Sequence, residues 1–106
     1  MENRQLLVLE VCDGGVMMSS MIANKIETLL SATEHDVSVV SLLPMSVESF
    51  LQQNPVDFIV STSPILGEIL VPIINGLPML TGFKEQALND QILELAQEIL
   101  KNNLGN

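Results

Sequence analysis

The residue with the greatest chemical potential is Cys12, the only cysteine, which follows a short apolar run at residues 5–11. Gly14 and Gly15 come next and permit a tight turn in which backbone N–H groups converge on one point. A helix that follows the turn adds free N–H groups and a partial positive charge. Such a site stabilises a thiolate and can hold the oxygens of a phosphoryl group. The loop therefore suits a covalent phosphocysteine.

Hydroxyl and carboxylate side chains modify this predicted anion site. We expect a helix to begin at Ser19 or Ser20 with a serine N-cap, and both hydroxyls could donate to a phosphoryl group. Asp13 opposes the chemistry, because a carboxylate beside the site disfavours both thiolate and phosphate. A second interpretation stays open, since a lone cysteine near the end of a strand is commonly a small buried core residue.

Other phosphate chemistries are disfavoured. Low-molecular-weight tyrosine phosphatases carry an arginine six residues after the cysteine, whereas this chain has Met18 there and its only arginine is Arg4. The Gly-Lys-Ser/Thr sequence of a nucleotide-binding P-loop is absent. The G-x-G-x-x-G fingerprint of dinucleotide-binding proteins does not occur in this loop.

The elements that must position Cys12 alternate between strands and helices. Strands are predicted at residues 5–11, 37–42, 57–61 and 71–74, and helices at 19–30, 46–53 and 85–101. We expect Ser46 to cap the second helix, residues 65–70 to form a loop or a helical turn, residues 75–78 to form a turn, and residues 102–106 to be a frayed tail. This order predicts an α/β fold: an open four-stranded parallel sheet in a Rossmann-like three-layer α/β/α arrangement, with Cys12 at the carboxyl end of the first strand.

Composition limits the classes of function. The chain has 106 residues, which predicts a single domain, and 13 acidic against 4 basic residues give a formal charge of −9. This charge argues against binding to nucleic acid or anionic lipid. One cysteine and one histidine exclude an internal disulfide and multi-histidine metal sites. The N-terminal residues lack the order of a signal peptide, and no apolar run approaches a membrane span, so we expect a cytoplasmic protein.

Several stretches resemble a known family. Residues 11–26, VCDGGVMMSSMIANKI, are similar to the phosphocysteine loop of cytoplasmic IIB components of the bacterial phosphoenolpyruvate-dependent sugar phosphotransferase system. The resemblance is greatest to the galactitol type, with the ascorbate type as a near relative. Residues 72–82, PIINGLPMLTG, resemble the late strand and turn of the family, residues 86–93 its last helix, and residues 57–63 its third strand. Compatible order and spacing extend over nearly the whole chain.

The resemblance implies a relay without cofactor or metal. A phosphohistidine on a IIA partner donates to Cys12, the nucleophile and carrier, which passes the phosphoryl group to a sugar or sugar alcohol, of galactitol kind, held by a membrane IIC partner. The protein would be a monomer in isolation that associates with the membrane through IIC. The implied holders of the phosphoryl oxygens are the backbone groups of Asp13, Gly14, Gly15, Val16, Met17, Met18, Ser19 and Ser20.

The chain departs from the family at a few positions of this loop. Asp13 stands where relatives have a small neutral residue, and Met17 and Met18 are bulkier than usual. We expect Asp13 either to slow phosphoryl acceptance or to cap free N–H groups of the empty loop. Thr62 and Ser63 are expected near the loop, at the end of the third strand.

The remaining candidates have plainer interpretations, and other functions stay open. His35 is expected to be an exposed loop residue, Met21 to pack in the core or to join a partner-facing methionine patch, and Glu94 and Glu98 to form a solvated face. Besides the relay, the sequence allows a IIB-like regulatory module whose binding depends on phosphorylation of Cys12. It also allows a passive interaction protein with an inert cysteine.

Overall fold

The predicted fold class is confirmed by the computed structural model, which describes residues 5–104. Four parallel strands form one sheet in the order β2-β1-β3-β4. The predictions for residues 1–4 and 105–106 lie outside the described residues. The strands are β1 Leu6–Val11, β2 Val37–Leu42, β3 Phe58–Ser61 and β4 Ile73–Asn75; the helices are α1 Val16–Leu30, α2 Val47–Gln53, α3 Pro78–Thr81 and α4 Glu85–Leu104, with short 3₁₀ turns at Ser31–Thr33 and Pro44–Ser46.

The central strand β1 is covered on both faces, which explains its nearly continuous apolar sequence. Leu6 and Val8 pack on the face covered by α1 and α4. Leu9 and Val11 point to the other face, where α2 and part of the chain between β3 and β4 pack. Helices on both faces of the sheet make three layers. The side chains that α1 and α4 contribute to the core are Ile22, Ile26, Leu30, Leu88, Ile92, Ala96 and Leu100.

The order of the strands places the end of β1 at a switch point. The chain leaves β1 towards β2 on one side of the sheet, whereas it leaves β3 towards β4 on the other side. The loops after β1 and β3 therefore diverge, and a crevice forms outside the carboxyl ends of these two strands, the place where open α/β sheets bind ligands. Cys12 follows directly on β1.

Several predicted boundaries are wrong. Helix α1 begins at Val16 with Gly15 as its N-cap, not at Ser19 or Ser20, and Ser46 makes no side-chain capping bond to α2. Strand β4 begins after Pro72, which lacks an N–H donor, although its carbonyl accepts a bond from the Ile59 N–H.

The last part of the chain is more helical than expected. A short helix, α3, follows the Asn75-Gly76 turn, and Pro78 occupies its first turn, where the missing N–H costs nothing. Helix α4 continues through residues 102–104, which the sequence predicted as part of a frayed tail. Within the described residues, none of the helices combines the length and the hydropathy that crossing a bilayer requires.

Candidate functional site

Cys12 lies at the carboxyl end of β1, as predicted. Its side chain is 3% exposed and borders a cleft of about 310 Å³, which it lines together with Gly15, Ser19, Ser20 and residues 41–43. The Gly14 N–H donates to the Cys12 Sγ over 3.3 Å. This backbone bond holds the sulfur beside the turn that follows β1.

The N-terminus of α1 supplies further donors beside the sulfur. The Ser19 N–H donates to the Gly15 carbonyl over 3.0 Å, so intrahelical bonding begins there. No side chain caps the helix, and its first turn contains no acidic residue. Helix geometry therefore leaves four N–H groups for an incoming anion, together with the partial positive charge of the helix. They belong to Gly15, Val16, Met17 and Met18.

The predicted donors at the two ends of the loop have other partners. The Asp13 N–H donates to the Ser63 Oγ over 3.1 Å, and the Ser19 hydroxyl donates to the Glu10 carboxylate. Ser20 is exposed and borders the cleft. The Asp13 side chain is exposed and shows no hydrogen bond within residues 5–104, so it does not cap the loop in this structure. The central part of the loop thus carries the free backbone donors.

The end of β3 holds the cysteine loop in place, as its predicted proximity suggested. The Thr62 N–H donates to the Val11 carbonyl over 3.0 Å, directly before Cys12. The Ser63 Oγ receives the Asp13 N–H, while the Ser61 Oγ receives the Ser63 N–H and donates back to the Ser63 carbonyl. Two neighbouring strand ends therefore fix the position of the turn after Cys12.

Glu10 is the residue that the sequence analysis missed. It was counted as part of an apolar strand, yet its carboxylate is fully buried within β1 and its Oε1 lies 2.5 Å from the Ser19 Oγ. Its Oε2 is buried without a hydrogen-bond partner. The available signal was spacing: residues two apart in a strand share a face, so Glu10 and Cys12 had to point the same way.

Exposed apolar side chains surround the mouth of the site. We call this set the apolar rim; it comes from the first turn of α1 and from the segments that follow β2 and β3, at the carboxyl edge of the sheet. Met18 places its thioether beside Gly14, where an added Cβ would collide with the Met18 Sδ and lie 3.4 Å from the Cys12 Sγ. Single exposed apolar residues are ordinary, but a group around a reactive side chain indicates a contact surface. The apolar rim consists of Val16, Met17, Leu43, Met45 and Leu66.

The remaining predicted candidates lie away from this site or on the surface. His35 is half-buried rather than exposed, because its Nδ1 lies 3.1 Å from the Thr33 carbonyl oxygen. It precedes β2 and is therefore at the opposite edge of the parallel sheet from Cys12. Glu94 and Glu98 are exposed on α4, as expected. Met21 is partly exposed on α1.

Replacing Gly15 with alanine is expected to destabilise the fold by about 1–3 kcal/mol. Gly15 has φ 98° and ψ 170°, a conformation open essentially to glycine, whereas an added Cβ would meet no atom within 4 Å. The cost is therefore backbone strain alone. Urea unfolding followed by circular dichroism measures it. Gly82→Ala is the matched comparison, because Gly82 also has a positive φ of 79° and an added Cβ there would likewise meet no atom within 4 Å, so it too should lose stability through backbone strain. A Gly15→Ala variant as stable as the wild type would contradict the assigned turn.

Replacing Asp13 with asparagine is expected to speed phosphoryl acceptance several-fold, because it removes a negative charge next to Cys12 while keeping the side-chain shape. The exposure of Asp13 moderates the effect through solvent and salt. The measurement is the initial rate of Cys12 phosphorylation, together with the rate of alkylation across pH. Asp36→Asn, in the loop before β2, is the charge-matched control. Unchanged rates would mean that the Asp13 charge is fully screened.

Comparisons with known proteins identify relatives of the chain. No family model matches the sequence. The chain is 33% identical over 88 residues, 83% of its length and 94% of that protein, to "Putative phosphotransferase enzyme IIB component SgcB" of Escherichia coli (strain K12). Its fold is similar to the lactose-specific IIB component domain of the phosphotransferase system from Streptococcus pneumoniae, with TM-score 0.52, 19% identity, and coverage of 92% of this chain and 97% of that one.

Proposed function

The chain belongs to the phosphotransferase enzyme IIB components, and from that premise we propose that Cys12 is the phosphoryl carrier of a sugar transport system. The observation that carries the proposal is the position of the Cys12 sulfur. It receives the Gly14 N–H and stands beside the free N-terminus of α1. The passive-protein alternative assigns no role to an uncapped helix N-terminus that lines the same cleft as the thiol.

The proposed chemistry is two successive phosphoryl transfers. In the first, the P–N bond of a phosphohistidine on a IIA partner breaks as the S–P bond to Cys12 forms; the thiol gives up its proton, and the histidine nitrogen takes up a proton in place of phosphorus. In the second, the S–P bond breaks as a hydroxyl oxygen of the sugar takes the phosphoryl group; that hydroxyl gives up its proton, and the sulfur takes up a proton. Cys12 is a covalent nucleophile in the first step and the leaving group in the second.

Backbone donors stabilise the phosphoryl group in this proposal. The Gly14 N–H bonds to the sulfur, and the N–H groups of Gly15, Val16, Met17 and Met18 at the start of α1 have no side-chain cap. Dipoles fixed in place before the reaction need no reorganisation as charge develops on the oxygens. Ser20 adds a hydroxyl from the wall of the cleft. The Asp13 amide is occupied by Ser63 and contributes by holding the turn rather than the phosphate.

The sugar and the partners form the finer part of the proposal. Residues 11–26 and 72–82 resemble the galactitol type, so we propose a sugar alcohol of that kind as the acceptor, bound by a membrane IIC partner. The protein would work in the cytoplasm and reach the membrane through IIC. The apolar rim offers the surface on which both partners dock, since each must bring its reacting atom to the mouth of the same cleft.

The test is phosphoryl discharge from the loaded protein. The chain is phosphorylated with phosphoenolpyruvate, the general phosphotransferase proteins and a IIA partner, then mixed with membranes that contain a galactitol-type IIC. We expect loss of the label on addition of galactitol and not of lactose or ascorbate. Loading without discharge by any sugar would support a regulatory module instead, and failure to load would support the passive protein.

A further inference from the structure

Glu10 is a buried carboxylate for which the relay above has no role. Its side chain is 0% exposed in the central strand, one carboxylate oxygen takes the Ser19 hydroxyl, and the other has no partner. An incompletely paired carboxyl group is costly inside a protein, and a valine of similar volume would fill the strand position without that cost. Packing therefore does not explain why a carboxyl group occupies this buried position.

The surroundings of Glu10 connect it to the reacting sulfur. Cys12 is two positions further along the chain, about 6.6 Å away along the strand direction and on the same face. Ser19 bonds to Glu10 and lines the cleft that Cys12 also lines, so Ser19 is the polar side chain that links the carboxylate to this cleft. Ser41 of β2 and Val60 of β3 flank Glu10 in the sheet.

Nearby charged groups do not compensate the carboxylate. Within residues 5–104, Ser19 is the one hydrogen-bond partner shown for Glu10. The α1 lysine, Lys25, is engaged by Glu85 and by the Met79 carbonyl. The Cys12 thiol is the titratable group on the same strand face, and Asp13 is exposed beyond it.

We propose that Glu10, acting through Ser19, takes up the thiol proton of Cys12 when the phosphoryl group arrives, an inference that rests on the proposed function. The thiol proton passes to the Ser19 Oγ as the Ser19 hydroxyl proton passes to the Glu10 Oε1. The sulfur lone pair forms the S–P bond, and the P–N electron pair returns to the partner's histidine, which takes a proton from water. On discharge, a sugar hydroxyl oxygen takes the phosphoryl group and releases its proton to water, the S–P pair returns to sulfur, and the proton on Glu10 comes back to sulfur by the same route.

Two consequences support this assignment. Without the proton transfer, the buried pair would change from a charge of −1 to −3 as phosphocysteine forms, whereas with it the charge reaches only −2. The transfer also reverses the Ser19 hydrogen bond. Neutral Glu10 donates to the Ser19 Oγ, which frees the Ser19 proton for a phosphoryl oxygen. The predicted role of Ser19 as a donor to phosphate is thereby compatible with its present bond to Glu10. Glu10 is a positioning residue in this scheme, since it acts through Ser19.

The test is the pH profile of Cys12 alkylation by iodoacetamide, which needs no phosphoryl donor. A proton exchanged between Cys12 and Glu10 leaves a constant fraction of thiolate over a range of pH. The wild type should therefore show a pH-independent arm below the thiol titration. Glu10→Gln and Ser19→Ala should lose that arm and react about tenfold more slowly near pH 6. Glu27→Gln, an equal change of charge at an exposed site of α1, should keep it.

A faster alkylation of Cys12 in the Glu10→Gln variant, instead of a slower one, would overturn the inference. If Glu10 is only a fixed negative charge beside the thiol, Glu10→Gln reacts faster than the wild type at every pH below full ionisation of the thiol. Glu10→Val separates the proton role from the fold: we expect an unchanged or higher urea midpoint, yet the same loss of the pH-independent arm. Absence of label on Cys12 in the loading experiment refutes the relay, whereas a faster Glu10→Gln variant refutes only the proton transfer.

Discussion

Replacing Cys12 with serine is expected to abolish phosphoryl acceptance, with a loss of about a thousandfold or more, the scale on which removal of a nucleophile acts. The hydroxyl is a far weaker nucleophile than the thiol at neutral pH. The substitution is nearly isosteric in a site where the sulfur accepts one backbone N–H, so the fold should remain. The measurement is transfer of labelled phosphoryl from a IIA partner, with thermal unfolding of the variant as the check on folding.

A matched substitution separates loss of the nucleophile from damage to the loop. Ser63→Ala removes the acceptor of the Asp13 N–H and leaves the thiol intact, so we expect it to reduce transfer without abolishing it. Undiminished phosphorylation of the Cys12→Ser variant would contradict the assignment. It would move the acceptor to another side chain.

Replacing Met17 with glutamate is expected to stabilise the protein while weakening phosphoryl binding. Met17 is 88% exposed in the first turn of α1, which contains no acidic residue. A carboxylate there interacts favourably with the helix dipole, by about 0.3–1 kcal/mol. The same carboxylate repels a phosphoryl dianion, so we expect the equilibrium of transfer from a IIA partner to Cys12 to fall about tenfold. The equilibrium constant is the correct measurement, because docking affinity cancels from it.

Met17→Gln is the control for the lost methionine, since it has the length of glutamate without the charge. We expect its transfer equilibrium to match the wild type, and the deficit of the glutamate variant to shrink as salt is raised. Equal equilibria for the glutamate and glutamine variants would show that the N-terminus of α1 does not face the phosphoryl group.

The architecture of the sheet could be predicted because each strand and helix has its own pattern of apolar residues in the sequence. The apolar run of β1 needs burial on both faces, the β-branched residues of β2 are typical of a strand, and the stripe from Leu88 to Leu100 fixes the face of α4. The start of α1 was not predictable from capping preferences. Gly15 caps this helix through a positive φ rather than a side chain, while Ser19, the expected cap, bonds to a strand.

The cysteine and the glycine turn of the candidate site could be predicted from the sequence, whereas the residues that contact them from elsewhere in the chain could not. Cys12, Gly14 and Gly15 predict a turn that can hold an anion, because these residues lie next to one another in the sequence. The buried Glu10 and the anchoring Ser63 act across the sheet, and partners nine and fifty residues away in the chain leave no local pattern. Glu10 was detectable only through the alternation of side chains along β1.

The most direct measurement for the account as a whole is to locate the phosphoryl group by mass spectrometry after loading from a IIA partner. Trypsin releases residues 5–25, which contain Cys12 together with Ser19 and Ser20, so fragmentation of this peptide must assign the modified side chain. We predict a single phosphoryl group on the Cys12 sulfur. A phosphoryl group on either serine or on His35, or a chain that stays unmodified beside a fully loaded partner, would contradict the account.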